Sequence, residues 1–281
     1  MNETSKKFAL TGMPLSHSLS PFIHERLTET VGITASYSLI EAAPDALESV
    51  FKSTLFSLDG FNVTIPHKLG IIPLLDSLSD RAELYGSVNT VVFENGRAVG
   101  HNTDCTGFLR SLELGGIELF GDVLVTGCGG VSRMFAFESA LKGAAVTLAV
   151  RESGTEKAKA LADEIKLKTG RDVKTVLLGE AVGAYNLIIN GTPVGMHPRV
   201  NASVLPESVV KEAGAVFDAI YNPAETLLLK YAKENGIKYM NGLYMLVLQA
   251  AEAETLWNGV SFGADILRRV KDLTEKELNT R

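Results

Sequence analysis

The chain has 281 residues, 46% of them hydrophobic and 21% charged, which is typical of a folded α/β protein with one large or two ordinary domains. Its net charge of −6 argues against nucleic acid or an anionic membrane as a partner. Its two cysteines make no disulfide framework, its first residues lack a signal-peptide stretch, and no apolar run approaches the roughly 20 residues of a bilayer span, so we expect a cytoplasmic protein with reduced thiols.

The first hundred residues alternate between strand and helix patterns. Ser20 has a side chain of the type that caps a helix N-terminus, and Pro21 suits the first helical position. The predicted strands are KFALTG (7–12), SYSLIE (36–41) and GFNVTIPHK (60–68), and the predicted helices are SPFIHERLTETVG (20–32) and PDALESVFKSTLFS (44–57).

The segment 62–68, NVTIPHK, places a lysine at the mouth of a strand. Asn62 and Thr64 alternate with β-branched residues and therefore share one face of that strand. Pro66 should end the strand, because proline has no amide hydrogen for a sheet ladder. Lys68 is then either a solvated lysine beside a half-exposed strand or part of a site for which the strand is a rigid floor.

Ser18 and Ser20 stand at the start of the first predicted helix. A helix N-terminus carries unpaired N–H groups and a partial positive charge. Hydroxyls at such a position can hold a carboxylate as well as cap the helix. The pair therefore indicates either a plain cap or an anion site.

A hairpin is predicted over the segment VNTVVFENGRAVGHNTD, because Asn95-Gly96 separates two alternating runs. The far ends of a hairpin lie side by side. Asn89 and Asp104 should therefore come close in space.

From about residue 121 the pattern changes to strands that alternate with helices, which predicts a parallel sheet with right-handed crossovers. Strand patterns occur at DVLVT, AAVTLAV, VKTVLL, YNLIIN, AVFDAIY and KYMNG.

The turn GCGGVS (127–132) lies between the first of these strands and a helix. It departs from the dinucleotide-binding fingerprint, since Ser132 stands where a third glycine is expected. Its context still favours dinucleotide binding over a bare tight turn, because glycines let the backbone approach a pyrophosphate at a helix N-terminus.

The residues after the second strand of this region indicate the cofactor class. An acid there would bond a ribose hydroxyl, whereas an arginine would meet a 2′-phosphate. The chain offers Arg151 followed by Glu152, with Lys157 nearby. These charges favour NADP modestly over NAD, and each could also be a solvated surface charge.

Together these motifs resemble the shikimate dehydrogenase family over nearly the whole chain. The segments that carry the resemblance, in chain order, are GMPLSHSLSPFIHE, NVTIPHK, SVNTVV, HNTDCTGF, GCGGVSR, NGTPVGM and NGLYMLVLQAAEAETLW. Seven ordered matches are far more specific than any one of them.

The resemblance implies a reversible reduction of 3-dehydroshikimate to shikimate, with NADP as cofactor, NAD possible and no metal. It implies that Lys68 and Asp104 are catalytic. The substrate-binding residues that it implies are Ser18, Ser20, Thr64, Lys68, Asn89, Asp104, Tyr221 and Gln249. The cofactor-binding residues that it implies are Gly127, Cys128, Gly129, Gly130, Val131, Arg151, Thr192 and Gly242.

The chain departs from the family's pattern at a few positions. The family often has Asn-Arg-Thr after the second cofactor strand, and of these only Arg151 is present here. Cys128 replaces the usual alanine, and Cys105 follows Asp104 where glycine is common. Neither cysteine should abolish the chemistry.

The architecture that follows is α/β, with an N-terminal α/β substrate domain and a Rossmann-type, doubly wound, parallel-sheet cofactor domain. The substrate domain would span residues 1–103 and be completed by C-terminal helices at 241–281, and the cofactor domain would span 104–240. The active site is expected in the cleft between the domains.

Two other functions remain open. One is an NAD-dependent quinate/shikimate dehydrogenase, because Arg151 and Glu152 are adjacent and leave the choice between NADP and NAD open. A non-catalytic nucleotide-binding protein on the same fold would be expected to lose Lys68 and Asp104, which this chain retains. The expected partner is a small-molecule substrate, with no nucleic acid or membrane, for a monomer or homodimer.

Overall fold

The structure, a computed structural model, describes residues 5–280, so both ends of the expected substrate domain (residues 1–4 and 281) lie outside the described part. The chain forms two compact units. The first comprises Met1–Gly107 and Leu246–Arg281, and the second comprises Phe108–Met245. Both boundaries fall inside helices, α4 (Asp104–Leu114) and α9 (Leu243–Asn258).

A six-stranded sheet forms the centre of the first unit. Its strands are β1 (Lys6–Gly12), β2 (Ala35–Glu41), β3 (Gly60–Val63), β4 (Ser77–Leu78), β5 (Thr90–Glu94) and β6 (Arg97–His101). They lie in the order β2-β1-β3-β5-β6-β4. β1 runs parallel to β2 and β3, whereas β5 runs antiparallel to β3 and β6. The sheet is therefore mixed, as the hairpin signal between two alternating runs requires.

Helices cover this sheet: α1 (Ser20–Thr30), α2 (Leu47–Ser53), α3 (Asp80–Tyr85) and α10 (Ala264–Thr280), with two 3₁₀ turns at Leu55–Ser57 and Ile72–Leu74. The prediction that Ser20 caps α1 was wrong, because Leu19 occupies the cap position and no side chain caps the helix there. Leu19 has near-helical backbone angles (φ −90°, ψ −3°), so the chain enters the helix without an extended residue that would aim a hydroxyl at the first turn.

The strand predicted over NVTIPHK is shorter than the sequence indicates. β3 ends at Val63, and the chain then turns, with the His67 amide donating to the Thr64 carbonyl at 2.8 Å. The Thr64 amide still donates to Thr11 of β1 at 2.9 Å. Lys68 therefore lies in a turn just beyond the sheet edge, close to where the proline signal placed it.

The predicted hairpin is present. Asn95 and Gly96 both have positive φ (53° and 77°), the conformation that a two-residue type I′ turn requires. The ladder between β5 and β6 pairs Thr90 with His101, and the Asn89 amide extends it with a bond to the His101 carbonyl at 3.0 Å. This register sets Asn89 beside the start of α4.

Close packing around the one tryptophan of the chain joins α9 to the first sheet. The Trp257 ring stacks on Phe8 at 4.4 Å, and its indole N–H donates to the Val91 carbonyl at 3.0 Å. A Cβ atom at Gly60 would lie 2.3 Å from the indole nitrogen. Only glycine fits at this point of β3, because the stacked ring cannot move away.

The second unit is built on six parallel strands. They are β7 (Asp122–Thr126), β8 (Ala145–Val150), β9 (Val173–Leu177), β10 (Leu187–Asn190), β11 (Ala215–Asp218) and β12 (Lys238–Asn241). Their order, β12-β11-β10-β7-β8-β9, is that of the doubly wound dinucleotide-binding fold, as predicted.

The helices of the second unit include α5 (Gly130–Leu141), α6 (Thr155–Thr169), α7 (Glu207–Val210) and α8 (Leu227–Glu234). Of these, the short α7 was not predicted from the sequence. Two 3₁₀ turns follow β8 and β9, at Glu152–Gly154 and Leu178–Glu180. Within residues 5–280, none of the helices combines the length and apolar character needed to cross a bilayer.

We predict that Gly60→Ala destabilises the protein by about 1–3 kcal/mol, since the new methyl group must displace the stacked Trp257 ring. Thermal unfolding followed by tryptophan fluorescence measures the loss. Gly70→Ala is the matched control, because the nearest atom to a Cβ there lies 3.6 Å away. Equal melting temperatures for both variants would contradict the close contact.

Candidate active site

A half-buried ion pair marks the first candidate site, which lies within the first unit. Lys68 Nζ lies 2.5 Å from Asp104 Oδ2, and the two side chains are only 17% and 12% exposed. Two opposite charges with so little access to water stabilise each other, and neither would be stable there alone. The pair that the sequence predicted as catalytic is therefore assembled.

Backbone contacts fix where each charge stands. The Val88 amide donates to the Lys68 carbonyl at 2.8 Å, and the His67 ring bonds the Ala42 carbonyl at 2.7 Å, so the turn after β3 is held from both sides. Asp104 is the first residue of α4, where the helix dipole favours a carboxylate.

Asn89 connects this pair to the surrounding sheet. Its side-chain N–H₂ donates to Asp104 Oδ1 at 2.9 Å and to Thr103 Oγ1 at 3.0 Å. Its Oδ1 accepts the Thr103 amide at 2.7 Å. Asn89 is 3% exposed, so these bonds fix the orientation of its amide and, through it, of the aspartate. The predicted approach of Asn89 and Asp104 is confirmed.

Gln249 of α9 reaches the same cluster more loosely. Its Oε1 lies 3.4 Å from the Asn89 nitrogen, and its own N–H₂ donates to the Leu246 carbonyl at 2.9 Å. The residue is 9% exposed. The polar side chain in the apolar run YMLVLQAA therefore has partners within the first unit.

Thr64 follows β3, and Ser18 and Ser20 lie at the start of α1. Thr64 is half-buried, and its methyl group fills the space that a Cβ at Gly12 would need, at 2.3 Å. Ser18 Oγ accepts the Ser20 amide at 3.2 Å, which connects the turn before α1 to the first residue of the helix. Ser20 itself is 8% exposed.

Sequence reasoning missed the buried layer beneath these residues. Asn62, 4% exposed, donates to the Thr90 hydroxyl at 2.9 Å and to the Asn89 carbonyl at 3.1 Å, and it accepts from the Tyr37 hydroxyl at 2.7 Å. The sequence pattern marks Asn62 only as a polar residue on a strand face. No sequence motif points to Tyr37. The sequence shows only that a tyrosine lies on the predicted strand 36–41.

The second candidate site lies at the carboxyl edge of the parallel sheet, at the switch point of the strand order between β7 and β10. A pocket of about 640 Å³ opens there. Its lining includes the predicted cofactor residues Gly127, Cys128, Gly129, Arg151 and Thr192. Open α/β sheets bind ligands at this kind of switch point.

The glycine loop has the shape that a pyrophosphate needs. Gly127 has φ +87°, which side chains disfavour, and a Cβ there would lie 2.9 Å from the Thr192 methyl group. A Cβ at Gly129 would meet no protein atom within 4 Å, so space is left for a ligand against the backbone. The residues therefore fit a dinucleotide. Gly130 and Val131 begin α5 and do not line the pocket.

Ser132, the departure from the fingerprint, is accommodated by a glycine opposite it. Ser132 is fully buried, and its hydroxyl lies 3.1 Å from both the Thr126 and Gly191 carbonyls. A Cβ at Gly191 would lie 2.3 Å from Ser132 Oγ. The close approach of helix and strand that a third glycine usually permits is thus provided by Gly191.

Three basic residues are part of the pocket lining. Arg151 and Lys157 line it, and so does Arg199, which the sequence analysis did not single out. Glu152 is exposed and is not part of the lining. The pocket therefore presents positive charge to a ligand, and the arginine of the Arg151-Glu152 pair is the one that faces it.

A buried polar chain underlies the loops of this pocket. Asn190 Oδ1 accepts from Thr126 Oγ1 at 2.8 Å and from the Thr192 amide and hydroxyl at 2.9 and 2.7 Å. Its N–H₂ donates to Asp218 Oδ1 at 2.9 Å. The Thr226 hydroxyl donates to Asp218 Oδ2 at 2.6 Å. The chain crosses the ends of β7, β10 and β11 and orients Thr192.

Asp218 is fully buried, and burial raises the pKa of its carboxyl to about 6, against the hydrogen bonds from Thr226, Ile220 and Asn190 that lower it.

Tyr221 and Gly242 belong to the second unit. Tyr221 is half-buried in the loop after β11. Gly242 follows β12, and a Cβ there would lie 2.1 Å from the Ala219 carbonyl oxygen, so packing alone requires glycine at this position. Their roles toward substrate and nicotinamide stay predictions. Among residues 5–280 no cluster of three or more potential metal ligands is found.

The chain is similar to proteins of known family along almost its whole length. The family model described as "Shikimate dehydrogenase substrate binding domain" matches residues 10–91. "Shikimate dehydrogenase (NADP(+))" of Caldanaerobacter subterraneus subsp. tengcongensis is 42% identical over 275 residues, covering 95% of this chain and 96% of that protein.

Solved structures agree with these sequence matches. A shikimate dehydrogenase in complex with NADP+ superposes with a TM-score of 0.89 at 36% identity, covering 95% of each chain. The shikimate 5-dehydrogenase of Thermus thermophilus, in complex with NADP(H) and shikimate, gives 0.86 at 36% identity, covering 96% of this chain and 99% of that one.

The raised pKa of Asp218 predicts a pH-dependent stability. The folded protein holds this proton more tightly than the unfolded chain, so the contribution of Asp218 is favourable below pH about 4 and is lost as pH rises through about 6. The melting temperature of Asp218→Asn minus that of wild type should therefore be higher at pH 7.5 than at pH 5. Asp163→Asn, at an exposed carboxylate of the same unit, should show no such change.

Thermal melting followed by circular dichroism at the two pH values makes the comparison. A difference between Asp218→Asn and wild type that is the same at pH 5 and pH 7.5 would show that Asp218 does not titrate in this range.

Proposed function

This chain belongs to the shikimate dehydrogenase family, and from that premise we propose that it is an NADP-dependent oxidoreductase that interconverts 3-dehydroshikimate and shikimate. The single observation that carries the proposal is the half-buried Lys68–Asp104 pair of the first unit, at 2.5 Å and held by Asn89. The reaction serves the shikimate pathway of aromatic amino acid biosynthesis.

The first unit supplies the acid–base chemistry. Oxidation of a secondary alcohol releases the hydroxyl proton while the carbon gives up hydride, and the nicotinamide of NADP supplies the hydride chemistry when it is bound. The proton passes from the substrate hydroxyl to the Lys68–Asp104 pair, which acts as one acid–base unit. In the reverse direction the same pair returns the proton to the alkoxide oxygen.

The positive charge of Lys68 also stabilises the developing alkoxide. Asp104 keeps that charge paired and aimed, and Asn89 fixes the carboxylate so that Oδ2 faces the lysine.

The remaining residues bind and orient the substrate ring. Ser18 and Ser20 donate to its carboxylate from the start of α1, where the helix end is electropositive. The ring hydroxyls are held by Thr64, Asn89, Asp104 and Gln249, and Tyr221 is a further predicted substrate ligand. Each of these side chains can donate or accept at a hydroxyl, which suits a polyhydroxylated ring.

The second unit is assigned to the cofactor. Gly127, Cys128 and Gly129 leave room for the pyrophosphate, and α5, which begins at Gly130, directs its N-terminus toward it, with Val131 next in the helix. Thr192 forms the opposite wall. Gly242 is assigned to the nicotinamide end.

Arg151, Lys157 and Arg199 provide the charge for a 2′-phosphate, which favours NADP over NAD.

A cytoplasmic location, and a monomer or homodimer without nucleic acid or membrane partners, are also part of this proposal. The support is its net charge of −6 and the two free cysteines, Cys105 and Cys128, which form no disulfide.

Four parallel assays at 340 nm test the function, with shikimate or quinate against NADP or NAD. We expect kcat/KM for shikimate with NADP to exceed each other combination at least tenfold. A higher value for quinate or for NAD would replace the proposal with the NAD-dependent quinate/shikimate dehydrogenase and make Glu152 the ribose ligand to test.

Lys68→Ala should lower kcat by roughly 10²- to 10⁴-fold, the usual effect of removing a positioned acid–base group. NADP affinity should barely change, because Lys68 belongs to the first unit. Lys52→Ala, at an exposed lysine of the same unit, is the control and should keep full activity. More than half of wild-type kcat in the Lys68 variant would remove this residue from the mechanism.

Arg151→Ala should reduce kcat/KM for NADP at least tenfold and leave the NAD value nearly unchanged, because this guanidinium is assigned to the 2′-phosphate, which NAD lacks. Steady-state kinetics with both cofactors measure the ratio. Arg171→Ala, at an exposed arginine outside the pocket lining, is the control. An equal loss with NADP and NAD would assign Arg151 to the fold rather than to cofactor choice.

A further inference from the structure

Both hydrogens that Thr192 could donate are already bound inside the second unit. Its amide donates to Asn190 Oδ1 at 2.9 Å, and its hydroxyl donates to the same oxygen at 2.7 Å. A carbonyl oxygen carries no hydrogen, so the hydrogen between the two oxygens belongs to Thr192. The Val194 amide donates to Thr192 Oγ1 at a longer 3.3 Å. What Thr192 can still offer to a molecule in the pocket that it lines is therefore a lone pair of its hydroxyl oxygen.

The side-chain amide of Asn190 can face only one way. By shape alone it could be turned over, with its oxygen and nitrogen exchanged. Its oxygen, however, faces the Thr192 amide, which can only donate. Its nitrogen donates to Asp218 Oδ1 at 2.9 Å, and that oxygen also accepts the Ile220 amide at 3.0 Å. Asn190 is fully buried, so a turned amide would face like groups on both sides with no water to compensate.

Protonation of Asp218 leaves this orientation unchanged. Oδ1 faces two N–H groups and remains an acceptor. A proton on the carboxyl group belongs on Oδ2, which lies 2.6 Å from the Thr226 hydroxyl, because a hydroxyl can accept as well as donate. Asn190 therefore presents its oxygen to Thr192 whether Asp218 is a carboxylate or a carboxylic acid.

The lining of the pocket indicates which part of a dinucleotide meets Thr192. Thr192 shares the lining with Arg151, Lys157 and Arg199, which are assigned to the 2′-phosphate, whereas Gly242, assigned to the nicotinamide end, is not part of it. On the adenosine sugar of NADP, the hydroxyl next to the 2′-phosphate is the 3′-hydroxyl. That hydroxyl can donate to Thr192 Oγ1, whereas a pyrophosphate oxygen has only lone pairs and would be repelled.

We propose that Asn190 is a positioning residue that makes the Thr192 hydroxyl an obligate acceptor, and that Thr192 thereby selects the 3′-hydroxyl of the adenosine sugar of the cofactor. The inference rests on the proposed function. Asn190 and Asp218 are fully buried and act through Thr192, which is the member of this network that lines the pocket.

The experiment uses two ligands, adenosine 2′,5′-bisphosphate and its 3′-deoxy-3′-fluoro analogue. Fluorine is close to a hydroxyl in size but has no hydrogen to donate. By calorimetry, we expect wild type to bind the fluoro analogue about threefold to tenfold more weakly, because a donor is lost at Thr192. Thr192→Val keeps the shape without the oxygen and should bind the two ligands within twofold of each other. Thr192→Ser keeps the oxygen and should retain the wild-type ratio of the two Kd values. Thr175→Val is the matched control, at a half-buried threonine of β9 outside the pocket lining, and should retain it too.

Two further variants test the positioning role. In Asn190→Leu the Thr192 hydroxyl has lost its acceptor and can turn its hydrogen toward the fluorine, so the ratio of the two Kd values should fall at least twofold below that of wild type. Asp218→Asn still offers an acceptor to Ile220 and Asn190, so its ratio should stay within twofold of wild type. Circular dichroism checks the fold of each variant. If Asn190→Leu does not fold, the ratios of Thr192→Val and Asp218→Asn decide the proposal.

Equal Kd values for the two ligands in wild type would overturn the inference. A preference for the hydroxyl that persists in Thr192→Val, or is lost in Asp218→Asn, would also overturn it. Each of these results leaves the proposed function intact in a protein that oxidises shikimate with NADP. A wild-type protein that neither oxidises shikimate nor binds adenosine 2′,5′-bisphosphate would instead refute the proposed function, and this inference with it.

Discussion

The ion pair between Lys68 and Asp104 is the interaction to which the rest of the first unit is fitted. Its two charges have little access to water, so each is tolerated only because the other is within 2.5 Å. The turn after β3, the first residue of α4 and the end of the β5–β6 hairpin must all meet for this to happen. Asn89 joins them, since its amide bonds the aspartate on one side and Thr103 on the other. The ion pair is thereby held by backbone that directly adjoins the sheet.

In the second unit, buried hydrogen bonds organise the ends of the parallel strands. Parallel strands end at one edge, and their unpaired polar groups there can either be hydrated or be joined to each other. The hydrogen-bonded side chains of Thr126, Asn190, Asp218 and Thr226 join them. Glycines of the loop at 127–129 leave open space beside these strand ends. Ser132 and Gly191 show that the spacing between helix and strand is what matters, because the two residues exchange the roles that the usual fingerprint assigns.

The sequence predicts most of the fold because its signals are local. The Asn95-Gly96 turn, the alternation of strands and helices and the glycine loop each follow from backbone preferences, and all are present. The errors arise where a local rule competes with long-range contacts. Leu19 takes the cap position from Ser20, and β3 ends at Val63 because the next residues turn to place Lys68. Tyr37 and Arg199 were not predicted, and the bonds of Asn62 were not, because only the folded chain shows what these side chains face.

The central claim is that Lys68 and Asp104 act as one unit in proton transfer, and a double-mutant cycle on kcat tests it most directly. The cycle compares Lys68→Ala, Asp104→Ala and the double variant with wild type at saturating shikimate and NADP. If the pair is a unit, removing either member already forfeits its function, so the double variant should be no slower than the slower single variant, within about threefold. Losses that multiply in the double variant would show that the two residues contribute independently and would contradict the account.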